Sequence, residues 1–117
     1  MGEFAMNETS LQVGSVVIVS FPFSNLKGHK IRPALVVANV ELNDFILCQI
    51  TSKSSFSTKA FKITSSNFDA GALPVTSYVR PNKLFTVNAS IIKKEVGILN
   101  QTTRKAILKI VRELFSD

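Results

Sequence analysis

The chain has one histidine, one cysteine and no tryptophan. A structural zinc site takes four nitrogen or sulfur ligands, so one His and one Cys leave it short. A lone cysteine also excludes an intrachain disulfide, which agrees with a cytoplasmic setting. No apolar run approaches the roughly 20 residues of a membrane-spanning helix, and no secretory leader pattern opens the sequence. Acids are scarce too: eight Asp and Glu stand against fourteen Lys and Arg, for a formal charge of +6. That balance favours anionic partners, namely nucleic acid, a membrane surface or an acidic protein segment.

What is present is a hydrophobic chain, 45% apolar over 117 residues. That content argues against disorder, and at this length about two-thirds of the unfolded surface can be buried around one core. Residues 1–5 (MGEFA) precede a second methionine, Met6, and read as a vector-derived scar. Residues 6–117 read as one domain, with no internal repeat and no linker.

Val16 to Phe21 (VVIVSF) is β-branched and apolar and reads as a buried strand that Pro22 should end. Ser24 to Lys30 reads as a loop from its Asn, Gly and lysines. Pro33 biases Arg32 to extended backbone, and Ala34 to Ala38 follows as a strand. Asn39 to Asp44 is a turn, Phe45 to Thr51 a third strand and Ser52 to Thr58 a polar loop. Phe61 to Ile63 is a short strand, Leu73 to Phe85 holds one broken by Pro81, and Ser90 to Val96 carries apolar residues into Gly97. The period then changes: Ala106, Ile107, Ile110, Val111, Leu114 and Phe115 share one helical face, with Asn100 as N-cap. The class expected is mainly β with a terminal α-helix, a small barrel with a covering helix.

Arg32 comes first among residues that could carry chemistry, and Thr51, by itself an ordinary β-former at a strand end, comes second. Arg32 stays protonated at any working pH and presents a planar fork that fits phosphate oxygens. Read alone, it is an ordinary solvated arginine at a strand start. Thr51 ends its strand on the face of Phe45, Leu47 and Gln49, opposite Ile46, Cys48 and Ile50. His29 titrates near neutrality three residues before Arg32 and is an auxiliary candidate. Lysines 27, 30, 53, 59 and 62, interleaved by Phe23 and Phe56, suit single-stranded RNA, whose phosphates need cations and whose bases stack.

Several of these segments together resemble the MazF/PemK family of endoribonuclease toxins from bacterial toxin–antitoxin pairs. They are the Gly14-Ser15-Val16-Val17 opening, Phe21-Pro22-Phe23-Ser24, Arg32-Pro33-Ala34-Leu35-Val36-Val37 and Ile50-Thr51-Ser52. Ser77 to Leu84 (SYVRPNKL) resembles the family's second block, with Asn82 where an acid is common. Glu95-Val96-Gly97-Ile98-Leu99 resembles its closing Ile-Gly-x-Leu, where Gly97 would allow a close approach or a positive φ.

The resemblance covers Gly14 to Leu114 and implies an SH3-like, MazF/CcdB-like barrel and a homodimer. It implies a growth-inhibiting mRNA interferase: a sequence-specific, metal-independent endoribonuclease that cuts single-stranded mRNA in the cytoplasm. No cofactor, membrane or direct DNA partner is implied, and a cognate antitoxin neutralises the enzyme. Arg32 and Thr51 match the family's catalytic pair, with Ser52 as a second auxiliary. RNA-binding candidates are Lys27, Lys30, Gln49, Lys53, Ser77 and Arg80. The alternative is a binding module on the same barrel, either a non-catalytic RNA or ribosome binder or a CcdB-like protein inhibitor. The absence of tryptophan from the C-terminal Leu114-Phe115-Ser116-Asp117 weakens the CcdB-like version.

Overall fold

The computed structural model describes residues 11–22, 29–54 and 59–116. Expectations for Lys27, Phe23 and Phe56 lie outside them. Seven strands, β1 (Ser15–Pro22), β2 (His29–Asn39), β3 (Asp44–Thr51), β4 (Phe61–Ile63), β5 (Phe68–Gly71), β6 (Ser77–Asn88) and β7 (Ile92–Leu99), precede one helix, α1 (Gln101–Glu113). The strands form a single sheet in the order β4-β6-β3-β2-β1-β7-β5, with antiparallel pairing throughout. Register shifts along β1–β7, β2–β3 and β3–β6 curl it into a half-barrel with α1 at its end.

The apolar runs of the sequence are continuous because the central strands are buried on both faces. Val17, Val19, Ala34, Val36, Phe45 and Leu47 meet in one cluster. Their alternates Val16, Leu35, Cys48 and Ile50 meet in another, with Ile107 of α1. The first cluster is closed by the curl of the sheet and by Leu11, Ile91 and Ile92. The second lies under the helix. Asn100 caps α1 as expected, its Oδ1 accepting from the Thr103 N–H at 2.8 Å. Asn67 then donates from Nδ2 to Thr103 Oγ1 at 2.9 Å, tying the helix start to the segment before β5.

Some boundaries differ from expectation, for identifiable reasons. β2 starts at His29, inside the segment read as a loop, because pairing with Pro22 of β1 carries the hairpin past its polar residues. β6 runs through Pro81, and the break appears as a bulge: Cys48 pairs with Leu84 while the next residue, Gln49, pairs with Arg80. β5 and the 3₁₀ turn at Ser65–Asn67 have no hydrophobic period to announce them. At Gly97 the close approach is what the fold uses: a Cβ would sit 2.7 Å from Phe68 Cδ2 and 2.8 Å from the Ala70 carbonyl. Positive φ belongs instead to Gly14 and Gly71 among the described glycines.

Cys48 is fully buried, and burial pushes its thiol up to about 12 from 9.0. A neutral, enclosed thiol should resist alkylating reagents at pH 8 until the protein opens. Modification of native protein as fast as of urea-unfolded protein would contradict that placement. Because the unfolded thiol ionises first, Cys48 supports the fold fully below pH 9, and that contribution fades as pH rises toward 12. No described helix is long and apolar enough to cross a membrane.

Candidate active site

Pro33 shapes the site in two ways. Its ring holds Arg32 extended, within β2 opposite Val19 of β1. It also has no N–H to give a ladder, and pairing between β2 and β3 begins only at Ala34, opposite Gln49. The register, carried on by two residues, points Arg32 toward the Thr51 end of β3, and both border one cleft. Beyond Pro33 the two strands part, and a cleft of about 570 Å³ opens there.

The cleft is bordered by residues 30–33 of β2 and 50–53 of and beyond β3, with Ile18 and residues 73–75 and 77. Consecutive residues of a strand point to opposite faces. Lining by four in a row therefore places the cleft across the strand ends rather than on one face. Arg32 and Thr51 are both half-buried, whereas Lys30, Ser52 and Lys53 are exposed. The Lys53 N–H donates to Thr51 Oγ1 at 3.2 Å, which fixes the hydroxyl oxygen at the strand end. Ser77 is buried and donates from Oγ to the Val75 carbonyl at 2.9 Å, so its proton holds the 75–77 turn against the cleft.

The cleft thus gathers Arg32, Thr51, Ser52, Lys30, Lys53 and Ser77 from the residues singled out in the sequence. Gln49 and Arg80 lie outside it. They are paired across β3 and β6, and Arg80 donates from an Nη to Gln49 Oε1 at 3.1 Å. Strand alternation sets them on the face that carries Arg32 and Thr51, one step inward along the sheet. His29 opens β2 opposite Pro22. Asn82, at the position where the resembled block often has an acid, is exposed in the β6 bulge and does not border the cleft.

Sequence reasoning missed the apolar wall. Ile31 and Val75 expose 62% and 56% of their surface, and with Leu73 and Pro74 they line the cleft beside its cations. The signal was the apolar Leu73-Pro74-Val75, which reads as part of a strand, whereas β6 begins only at Ser77. Among the described lining residues the charges are all positive, from Lys30, Arg32 and Lys53. Such an arrangement can hold a phosphate, stabilise added negative charge on it and keep water from one side.

The model of the PemK-like, MazF-like toxins of type II toxin–antitoxin systems matches residues 12–115. The chain belongs to this family. Solved structures of the fold agree. A mycobacterial endoribonuclease superposes with a TM-score of 0.67 at 18% identity, covering 92% of this chain and 91% of that one. The Mycobacterium tuberculosis toxin MazF-mt6 gives 0.67 at 16% identity, covering 86% and 95%. A MazE–MazF structure from Deinococcus radiodurans gives 0.72 at 15% identity, covering 89% and 94%. Among curated protein sequences none matches the chain. In this PemK/MazF-family toxin, the matched segment contains every described residue that borders the cleft.

Proposed function

We propose that the chain is an endoribonuclease toxin that cuts single-stranded mRNA at specific sequences, without a metal ion, in the cytoplasm. The observation that carries this reading is the meeting of Arg32 and Thr51 in one cation-rimmed cleft. In the reaction an RNA 2′-oxygen bonds to the adjacent phosphorus and the bond to the 5′-oxygen breaks. The 2′-hydroxyl gives up its proton, and a proton reaches the departing 5′-oxygen. The products are a 2′,3′-cyclic phosphate and a 5′-hydroxyl. Arg32 meets the charge of the crowded phosphorane, and Thr51 orients a phosphate oxygen. Neither is a base near neutral pH, so their roles are charge and positioning, with Ser52 and His29 as auxiliaries. Lys30 and Lys53 hold the flanking phosphates, and Gln49 and Arg80 extend the track along the sheet.

The test is end-labelled single-stranded RNA with purified protein in excess EDTA, and product ends mapped. Cutting that persists and leaves cyclic phosphate and 5′-hydroxyl ends is expected. Activity restored only by a divalent ion, or 5′-phosphate products, would overturn the mechanism. RNA bound but never cut would favour the binding-module reading.

The neighbours include an endoribonuclease in complex with its cognate antitoxin. For this chain the proposal is a two-fold homodimer whose basic cleft is covered by an acidic or amphipathic antitoxin segment that folds on binding. RNA and antitoxin should then compete, and RNA affinity should fall steeply with salt as counterions are released. A ternary complex with undiminished RNA affinity would contradict the shared surface. A monomer at tens of micromolar by sedimentation would contradict the dimer.

A further inference from the structure

Tyr78 is an aromatic side chain outside both core clusters, whereas Phe61, Phe68 and Phe85 pack against them. The first half of β6 alternates in burial: Ser77, Val79 and Pro81 are buried, and Tyr78 and Arg80 are half-buried. Pairing gives the face on which Tyr78 stands. It lies opposite Thr51 of β3 on one side and Lys62 of β4 on the other, while Arg80 lies opposite Gln49. Directly opposed residues of antiparallel strands share a face, with Cβ atoms about 5 Å apart. Residues two apart along one strand share it as well. On this face the neighbours of Tyr78 are therefore polar: Thr51, Lys62 and Arg80. A half-buried ring among polar groups is a surface on which another flat ring can lie.

The row has a direction. Thr51 borders the cleft, Tyr78 is one strand further out, and the exposed Lys62 is two. At the usual strand spacing the row is about 10 Å long. An RNA chain leaving the cleft along it meets a hydroxyl, an aromatic ring and a cation in turn. A nucleotide presents its groups in the matching order: phosphate, base, next phosphate. Single-stranded RNA is held in this manner, its bases stacked on aromatic side chains and its phosphates neutralised by cations. We propose that Tyr78 is the stacking platform for a base beside the scissile phosphate, with Lys62 on the phosphate beyond it. The ring binds and takes no part in the bond changes, which belong to the Arg32 and Thr51 end of the row. This rests on the endoribonuclease reading above and adds a base site next to its cleft.

The chain has one tyrosine and no tryptophan, so its tyrosine emission comes from Tyr78 alone. Cut sites are first mapped on a randomised single-stranded RNA in EDTA. The best site is resynthesised with 2′-O-methyl groups that block cleavage, and again with one abasic nucleotide on either side of the cut. Binding of the blocked RNA should quench the tyrosine emission, after correction for absorption by the RNA. On one side of the cut, the abasic RNA should bind about tenfold more weakly, the size of one base–aromatic stack. Tyr78→Leu keeps apolar bulk without a π-face. It should raise KM for cleavable RNA about tenfold, a loss carried by KM rather than kcat, and Tyr78→Phe should recover most of it. In Tyr78→Leu the intact and abasic RNAs should bind alike, which a merely structural ring would not produce. The emission and abasic arms use the wild-type protein and stand even where Tyr78→Leu fails to fold. Unquenched emission, no abasic penalty on either side, or a penalty as large in Tyr78→Leu would overturn the proposal while leaving the nuclease intact. Failure of the underlying reading looks different: no member of the pool is cut, and both ideas fall together.

Discussion

Arg32→Ala should lower kcat/KM for RNA by about a hundredfold or more, the usual loss when one group facing a developing oxyanion is removed. The argument starts from the backbone. Arg32 is held extended before Pro33 and is half-buried at the mouth of a cleft whose described lining carries only positive charge. A cation there sits at reduced dielectric, where its attraction for a doubly charged phosphorane exceeds its attraction for the singly charged ground state. The loss should therefore appear mainly in kcat. Arg32→Lys should recover little, because an ammonium cannot present two parallel N–H groups to a phosphate. Thr51→Ala removes both the hydroxyl and the acceptor of the Lys53 N–H, so Thr51→Ser, which keeps both, should retain activity that Thr51→Ala loses. If Arg32 and Thr51 act as a unit, the double alanine variant loses less than the two single losses combined. The check is single-turnover cleavage alongside thermal melts. Wild-type cutting by a folded Arg32→Ala protein would remove Arg32 from the mechanism and give the binding-module reading first place.

The parts of this protein that were legible in its sequence are those where one physical pattern dominates. VVIV and ALVV read as strands from their β-branched apolar runs, and α1 announces itself by a change of period and the Asn100 cap. The Arg-Pro pair was legible because proline restricts its neighbour wherever it occurs. The illegible parts depend on contacts distant in sequence. β5 has four residues, three of them exposed, and exists because it can pair with β7. The bulge at Pro81 to Lys83 was visible as a proline but not as a three-residue excursion, since that length is set by the register of β3.

The site divides in the same way. Arg32 and Thr51 are 19 positions apart in the chain, and the pairing of β2 with β3 brings both to the border of one cleft. Gln49 and Arg80, named as RNA-binding candidates, lie beside the cleft rather than in its described lining. Their mutual hydrogen bond is what the sequence could not show. The apolar wall escaped because Leu73 to Val75 read as the start of a strand, whereas β6 begins at Ser77 and leaves them beside the cleft. Their meaning comes from the cations they face.

Phe45→Ala should be the most damaging change to stability, and it should harm activity by a route distinct from that of Arg32→Ala. Phe45 is fully buried in the cluster formed by Val17, Val19, Ala34, Val36 and Leu47. It is the second residue of the strand that Thr51 ends. Truncating a buried phenylalanine typically costs about 3–5 kcal/mol, part for lost transfer and part for the cavity. Small domains hold only about 5–15 kcal/mol in total, so the variant should be partly unfolded at 37 °C and its urea midpoint should fall sharply. The strand ends that carry Arg32 and Thr51 lie at the far end of β3 from the cavity. Whatever fraction remains folded should therefore cut RNA with near-normal kcat. Cooling to about 15 °C, near the usual stability maximum, should restore activity in Phe45→Ala and leave Arg32→Ala as slow as before. A Phe45→Ala protein that melts like the parent would mean that the β3 ring is not packed as described. One that is folded yet inactive in the cold would mean that the first core cluster positions the cleft as well as supporting it.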